Sequence, residues 1–168
     1  MYSLNAPVPS AVAALADDLA RDLLDAQSRV RGSHTLVVKR LTDDDLGYAH
    51  LEARARDALA GTPACEARVA DVELFETVPS GPAPVVYLRV ESPGLEALHD
   101  RLCETFDPVS EIEGAAYVPH VTVARGGQAA AARRLAETEI DPIEWVVDEL
   151  VFWDATREQP ASRVSLPL

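Results

Sequence analysis

The amino-acid sequence predicts a single α/β or α+β domain with mixed sheets. Segments with helical spacing of apolar residues alternate along the chain with short β-branched segments. The 168 residues are about the size of one domain, and no stretch is long or polar enough to be a linker. An apolar content of 48% allows a sizeable core. We therefore expect one domain over residues 1–168.

The first half is predicted to contain two helices and three strands. Ser10 is placed to cap a first helix, and a cluster at Thr42 to Asp45 suits a turn and the start of a second helix. The proline-rich PSGPAP is typical of a tight connection between two strands of a hairpin. The predicted helices span residues 10–26 and 44–59, and the predicted strands span 33–41, 66–77 and 85–91.

The second half repeats this plan. Its predicted helices span residues 95–106 and 128–137, and its predicted strands span 117–125, 144–153 and 164–166. In each half a helix leads into a strand that carries a histidine, and a helix and further strands follow. We therefore expect a duplicated architecture.

The charge balance is strongly acidic, with a formal net charge of −13. Lys39 is the single lysine, against 14 arginines. This pattern is typical of a high-salt cytosol such as that of a halophilic archaeon, where a Debye length of about 3 Å at 1 M salt screens the repulsion of nucleic acid. An acidic surface encoded by a GC-rich genome is the alternative.

The sequence also indicates the cellular compartment. No stretch approaches the roughly 20 apolar residues that span a bilayer, and the N-terminus has no basic flank before an apolar run. We expect a soluble, cytoplasmic protein that does not bind membranes. Cys65 and Cys103 have no CxxC spacing, which argues against zinc ribbons and redox motifs and favours buried, reduced thiols.

Two of the four histidines fall inside predicted strands. His34 lies in SHTLV and His120 lies in PHVTV. Because side chains alternate along a strand, His120 and Thr122 project to the same side. Phosphoryl transfer needs a group that titrates near pH 7 and a donor that holds the nonbridging oxygens. If His34 faces the same groove, one histidine can act as base and the other as acid.

The stretch YVPHVTVARG, residues 117–126, resembles the 2H phosphoesterase superfamily, which includes the 2′,5′ RNA ligases and the RNA 2′,3′-cyclic phosphodiesterases. The pattern there is two copies of His-x-Thr/Ser, one on a strand of each pseudo-symmetric lobe. The order of helices and strands is also similar over nearly the whole chain. The resemblance implies an α+β fold in which two lobes of small antiparallel sheets, with outer helices, surround a central groove.

The resemblance also implies an activity in RNA processing. It implies a hydrolase of 2′,3′-cyclic phosphates or 2′,5′-linked RNA ends, with His34 and His120 as catalytic residues and with no metal or cofactor. Thr122, Thr35, Arg125 and Tyr117 are the candidate substrate contacts. Thr122 is also a β-branched strand former, Arg125 is equally compatible with a solvated strand end, and Tyr117 with a core position. The expected substrate is RNA or a nucleotide with a cyclic phosphate, and the expected state is a monomer.

The first copy of the pattern departs from the second. Thr35 directly follows His34, so on a regular strand it faces away from the histidine, and Leu36 takes the donor position. A β-bulge beside the histidine would return Thr35 to the groove. Otherwise Lys39, Arg40 or a backbone N–H would supply the contact, although alternation favours a surface role for Lys39.

The remaining signals are weaker. There is no GxxxxGK[ST], GxGxxG or GxSxG motif, and no HxH or HExxH spacing that predicts a metal site. Alternatives to the phosphodiesterase are a noncatalytic RNA-binding module and a phosphodiesterase of small cyclic nucleotides. We interpret the other two histidines as surface or structural residues and three aromatic residues as core, namely His50, His99, Trp145, Phe152 and Trp153.

Overall fold

The computed structural model describes residues 1–30, 33–42 and 45–167, which form two antiparallel sheets with covering helices. The strands are β1 (Tyr2–Pro7), β2 (Gln27–Ser28), β3 (Thr35–Leu41), β4 (Cys65–Phe75), β5 (Val85–Glu91), β6 (His120–Arg125), β7 (Glu139–Val147), β8 (Glu149–Asp154) and β9 (Gln159–Ser165). The helices are α1 (Ser10–Ala20), α2 (Tyr48–Leu59), α3 (Pro93–Cys103) and α4 (Ala129–Ala136), with a short 3₁₀ turn at Gly114–Ala116. The predicted α+β class is confirmed.

The first sheet joins the two ends of the chain, in the order β3-β1-β8-β9. Strand β1 was not predicted, yet it lies inside this sheet. Leu4 and Ala6 are fully buried on its core face, and they alternate with Ser3 and Asn5 on the opposite face. The N-terminal segment is therefore part of the core.

The second sheet has the order β2-β6-β5-β4-β7. The predicted hairpin is confirmed, because β4 and β5 pair antiparallel across residues 76–84. The single strand predicted at 144–153 is wrong. The chain leaves the second sheet after Val147 and enters the first sheet at Glu149, so the segment contributes β7 to one sheet and β8 to the other.

The helices begin and end inside their predicted ranges, except that α3 starts two residues earlier. Ser92 caps α3 by accepting a hydrogen bond from the Leu95 amide at 3.2 Å, with Pro93 in the first turn. Helix α2 begins at Tyr48, and the predicted start at residue 44 lies outside the described residues. Within the described ranges, no helix combines the length and the apolar character needed to cross a membrane.

Candidate active site

An open groove of about 870 Å³ runs along the face of the first sheet that is opposite its core. Ser3 and Asn5 of β1 line its floor together with Trp153 of β8. Trp153 was predicted to be in the core. It lies half-buried on the groove face instead, because it alternates along β8 with the fully buried Phe152. The prediction for Phe152 is confirmed.

A β-bulge decides which side chains of β3 reach this groove. The pairing of β3 with β1 skips Val38, and one extra residue inverts the alternation of the strand beyond it. Thr35, Val37 and Arg40 consequently line the groove. Lys39 turns into the interior, where its side chain is 0% exposed. The surface position expected for Lys39 is therefore wrong.

The structure does not bring His34 to the groove face. Its side chain is 0% exposed and lies against helix α1, with Nε2 3.6 Å from Oδ1 of Asp17. The 6% of the residue that remains exposed is therefore backbone. Neither ring nitrogen has a hydrogen-bond partner among the described residues. Burial lowers the pKa of His34 below its ordinary value of 6.5, against the opposing charge of Asp17. The ring is thus an uncharged core residue near neutral pH.

This placement corrects the expected pairing of His34 with His120. The predicted bulge does occur in β3, but it lies at Val38 and not beside the histidine. Regular alternation therefore holds at the start of the strand. Thr35 and the preceding Ser33 line the groove, whereas His34 borders it only through its backbone. The Thr35 hydroxyl donates to the Ala6 carbonyl at 3.2 Å. The Ser33 hydroxyl donates to the carbonyl of Val30 at 2.6 Å.

His120 opens strand β6 with a fixed ring orientation. Its Nδ1 lies 2.7 Å from the Val118 carbonyl, an acceptor, so Nδ1 carries the proton and Nε2 is the free nitrogen of the neutral ring. Nε2 makes no hydrogen bond to any residue that the structure describes. The edge contacts of Phe75 and Tyr87 hold the ring, with centroid distances of 5.6 and 5.4 Å. A histidine oriented in this way can accept or donate one proton through Nε2.

A second β-bulge brings Arg125 to the face of β6 that carries His120 and Thr122. The pairing of β6 with β5 skips Val123, so the alternation is inverted at the end of the strand. The Thr122 side chain is nearly buried, and its hydroxyl makes no hydrogen bond within the described part of the chain. An imidazole, a hydroxyl and a guanidinium thus follow one another along a single face.

The charges of three arginines act on His120. Arg29 and Arg40 line the groove, and Arg125 lies on the histidine's own strand. Burial lowers the pKa of His120 below its ordinary value of 6.5, and the charges of Arg40, Arg125 and Arg29 lower it further. Strands β3 and β6 lie close together, so the charges of the groove-lining Arg29 and Arg40 also act on the His120 ring. The arrangement suits an anionic ligand.

Tyr117 lies behind β3 and does not face the groove. Its hydroxyl donates to the Val37 carbonyl at 2.9 Å, and its ring stacks on that of His99 at 3.8 Å. His99 in turn accepts a hydrogen bond from the Gly114 amide through Nε2, so its protonated Nδ1 donates to the Val38 carbonyl at 2.7 Å. The hydroxyl and the ring of Tyr117 are thus both engaged within the protein, its expected substrate contact stays a prediction, and the structural role expected for His99 is confirmed.

A buried ion pair extends this support of β3. Lys39 Nζ lies 2.6 Å from Oε2 of Glu113, whose side chain is 1% exposed, and it also donates to the carbonyls of Arg40 and Asp107. Glu113 accepts from the amides of Arg40 and Val109 as well. We call Lys39, His99, Glu113 and Tyr117 the β3 support. It satisfies backbone groups on the edge of the first sheet and fixes the bulge from which Arg40 projects.

Comparison with protein families identifies the chain. The model of the 2'-5' RNA ligase superfamily matches residues 7–159. The protein belongs to this superfamily, the 2H phosphoesterases. The family indicated by the YVPHVTVARG stretch is confirmed, and its members are enzymes that act on RNA ends. No curated protein matched the sequence.

Solved structures share the fold of this 2H phosphoesterase. The crystal structure of TT0787 from Thermus thermophilus has a TM-score of 0.66 at 15% identity, covering 98% of this chain and 97% of that one. LigT from E. coli in complex with 3'-AMP also has a TM-score of 0.66, at 14% identity and with coverages of 99% and 98%. Usb1 from Kluyveromyces marxianus has a TM-score of 0.57 at 14% identity, with coverages of 99% and 97%.

Sequence reasoning missed the groove residues of the first sheet and the β3 support. Arg40, Trp153 and Arg29 line the groove, although only Arg40 was considered as a contact. One signal for the support was available, because a chain with a single lysine places it inside an apolar strand. Among residues 1–30, 33–42 and 45–167, no three His, Cys, Asp or Glu side chains cluster closely enough to hold a metal ion.

Proposed function

We propose that this 2H phosphoesterase is a phosphodiesterase that acts on a 2′,3′-cyclic phosphate or a 2′,5′-linked RNA end, with His120 as its proton-transferring residue. The observation that carries the proposal is the constellation on β6. His120 has one nitrogen anchored on Val118 and the other free, and Thr122 and Arg125 share its face of the strand. A titratable imidazole beside a hydroxyl and a guanidinium matches what phosphoryl transfer requires.

Each residue has a separate task in this proposal. The oxygen of water bonds to phosphorus while the bond from phosphorus to the ribose oxygen breaks. His120 Nε2 either takes the proton that water loses or gives one to the leaving oxygen, and solvent exchanges the other proton. Thr122 donates to a nonbridging oxygen, and Arg125 and Arg40 offset the negative charge of the phosphoryl group. A stacking surface for a base is available at Trp153, which is half-buried on the groove face. The proposed site uses no metal and no cofactor.

The test is hydrolysis of a nucleoside 2′,3′-cyclic phosphate in high salt with a chelator present. His120→Gln should lower kcat by about 10²- to 10⁴-fold, the usual contribution of a general acid or base. The matched control is His50→Gln, since His50 is exposed on α2. Both variants must keep the circular dichroism spectrum of the parent. Equal turnover by His120→Gln and the parent would refute the assignment.

One observation favours a second candidate, a noncatalytic RNA-binding module on the same fold. The His34 side chain is 0% exposed and lies against Asp17, so one of the two histidines expected at the groove offers it no exposed ring atom. The binding module predicts affinity for a 3′-phosphorylated oligonucleotide without turnover of cyclic or 2′,5′-linked substrates. If turnover is present, competition by short oligonucleotides separates an RNA substrate from a small cyclic nucleotide.

A further inference from the structure

We infer that Ser33, and not a histidine, occupies the position just before β3 that is equivalent to His120 in β6. The site then works with a single imidazole. It favours phosphodiesters whose leaving oxygen departs without a proton from a protein acid. This inference rests on the proposed function and narrows its substrate class. It follows from the register of two strands.

The two strands carry the same order of groove-facing groups. In β6, Thr122 comes two positions after His120, and the bulge at Val123 then brings Arg125 to that face. In β3, Thr35 starts the groove face, and the bulge at Val38 brings Arg40 to it. Each strand thus presents threonine, bulge and arginine in that order.

The residue two positions before Thr35 is Ser33, which is exposed and lines the groove. His34 is one position out of register. Its ring is fully buried on the core side, 3.6 Å from Asp17, and has no exposed atom from which to reach a phosphate. A serine hydroxyl does not titrate near neutral pH, so Ser33 cannot replace a general acid.

The chemical consequence depends on in-line displacement. The attacking and leaving oxygens lie on opposite sides of phosphorus, so one ring assists only one of them. With His120 Nε2 as base, water loses its proton to the ring as its oxygen bonds to phosphorus. The leaving oxygen then departs as an anion, and Arg40 is the cation that β3 offers to it. A nitrophenolate departs readily in this way, whereas a ribose alkoxide is a much stronger base and departs more slowly.

The experiment compares bis(p-nitrophenyl) phosphate with a nucleoside 2′,3′-cyclic phosphate for the parent, Ser33→His, Ser33→Ala, His34→Gln and His120→Gln. We expect the parent to prefer the aryl ester and His120→Gln to lose turnover of it. Ser33→His should raise kcat on the cyclic phosphate by at least about tenfold, which is part of the usual contribution of a general acid. It should change kcat on the aryl ester by less than about threefold. Ser33→Ala should not show this gain, because the gain requires an imidazole. His34→Gln, with the circular dichroism spectrum of the parent, should keep both rates close to the parent's.

Two outcomes overturn the inference. One is a loss of about a hundredfold or more on the cyclic phosphate in folded His34→Gln, since a proton-transferring histidine produces a loss of that size. The other is no gain in Ser33→His. A parent that is inactive while Ser33→His turns over the cyclic phosphate supports the register assignment and defeats only the proposed activity. The two proposals therefore fail separately.

Discussion

Breaking the buried ion pair of the β3 support should cost much of the protein's stability. In Lys39→Met the side chain keeps most of its length, but the Glu113 carboxylate, 1% exposed, loses a cation at 2.6 Å. The removal of one partner from a buried pair typically costs about 3–5 kcal/mol, because the other charge stays buried and uncompensated. We expect a loss of about that size. Two backbone amides still donate to Glu113, and the Arg40 guanidinium stays 3.6 Å from its Oε1, which favours the lower end.

Urea unfolding of Lys39→Met, Glu113→Gln and the double variant, at one salt concentration, measures this loss. The double variant should be about 2 kcal/mol more stable than the sum of the single losses predicts, since the two residues are in direct contact. Arg133→Met is the matched control. It breaks an exposed pair with Glu76 at 3.0 Å and should cost less than about 1 kcal/mol. A loss of less than about 1 kcal/mol in Lys39→Met refutes the reasoning.

Two further predictions concern the histidine and threonine assignments. Because burial lowers the pKa of His34, its contribution to stability is full above the ordinary value of 6.5 and is lost as the pH falls from there through the folded-state pKa. His34→Gln should therefore flatten the fall in unfolding free energy below pH 6.5, and an unchanged slope would contradict a buried neutral ring. Thr122→Val should lower kcat/KM on the cyclic phosphate roughly 10- to 100-fold, since a hydrogen bond to a charged group is lost, and Thr122→Ser should restore most of it. Equal rates in Thr122→Val and the parent would contradict a contact between the Thr122 hydroxyl and the substrate.

Local patterns predicted most elements and the strand that carries the His120 part of the candidate site. The strand that begins at His120, the helices and the β4–β5 hairpin follow from periodicity and turn residues, which act within a few neighbours. The bulges at Val38 and Val123 do not follow from such patterns. A bulge depends on the register with a partner strand that is distant in sequence. Alternation alone therefore predicted the wrong side of β3 for the Lys39 side chain.

The same reason explains the error at His34. The sequence motif marks a histidine and a threonine in a strand, but which of them faces the groove is decided by the pairing of β3 with β1. Strand β1 itself was not predicted, because six residues with only partial alternation near a chain end carry a weak local signal. The boundary at Asp148 between β7 and β8 is likewise set by the two sheets and not by a strong turn signal.

The net charge of −13 is a poor guide to what the groove binds. Three of the 14 arginines lie close enough to His120 to lower its pKa, so the local field around the site is positive within an acidic chain. At high salt the Debye length shrinks to about 3 Å, which screens the distant carboxylates far more than it screens groups in contact with a bound phosphate. Raising the salt concentration should therefore weaken the long-range repulsion of an anionic substrate more than its contacts with Arg40 and Arg125. On this argument an acidic surface and a phosphate-binding groove are compatible in one protein.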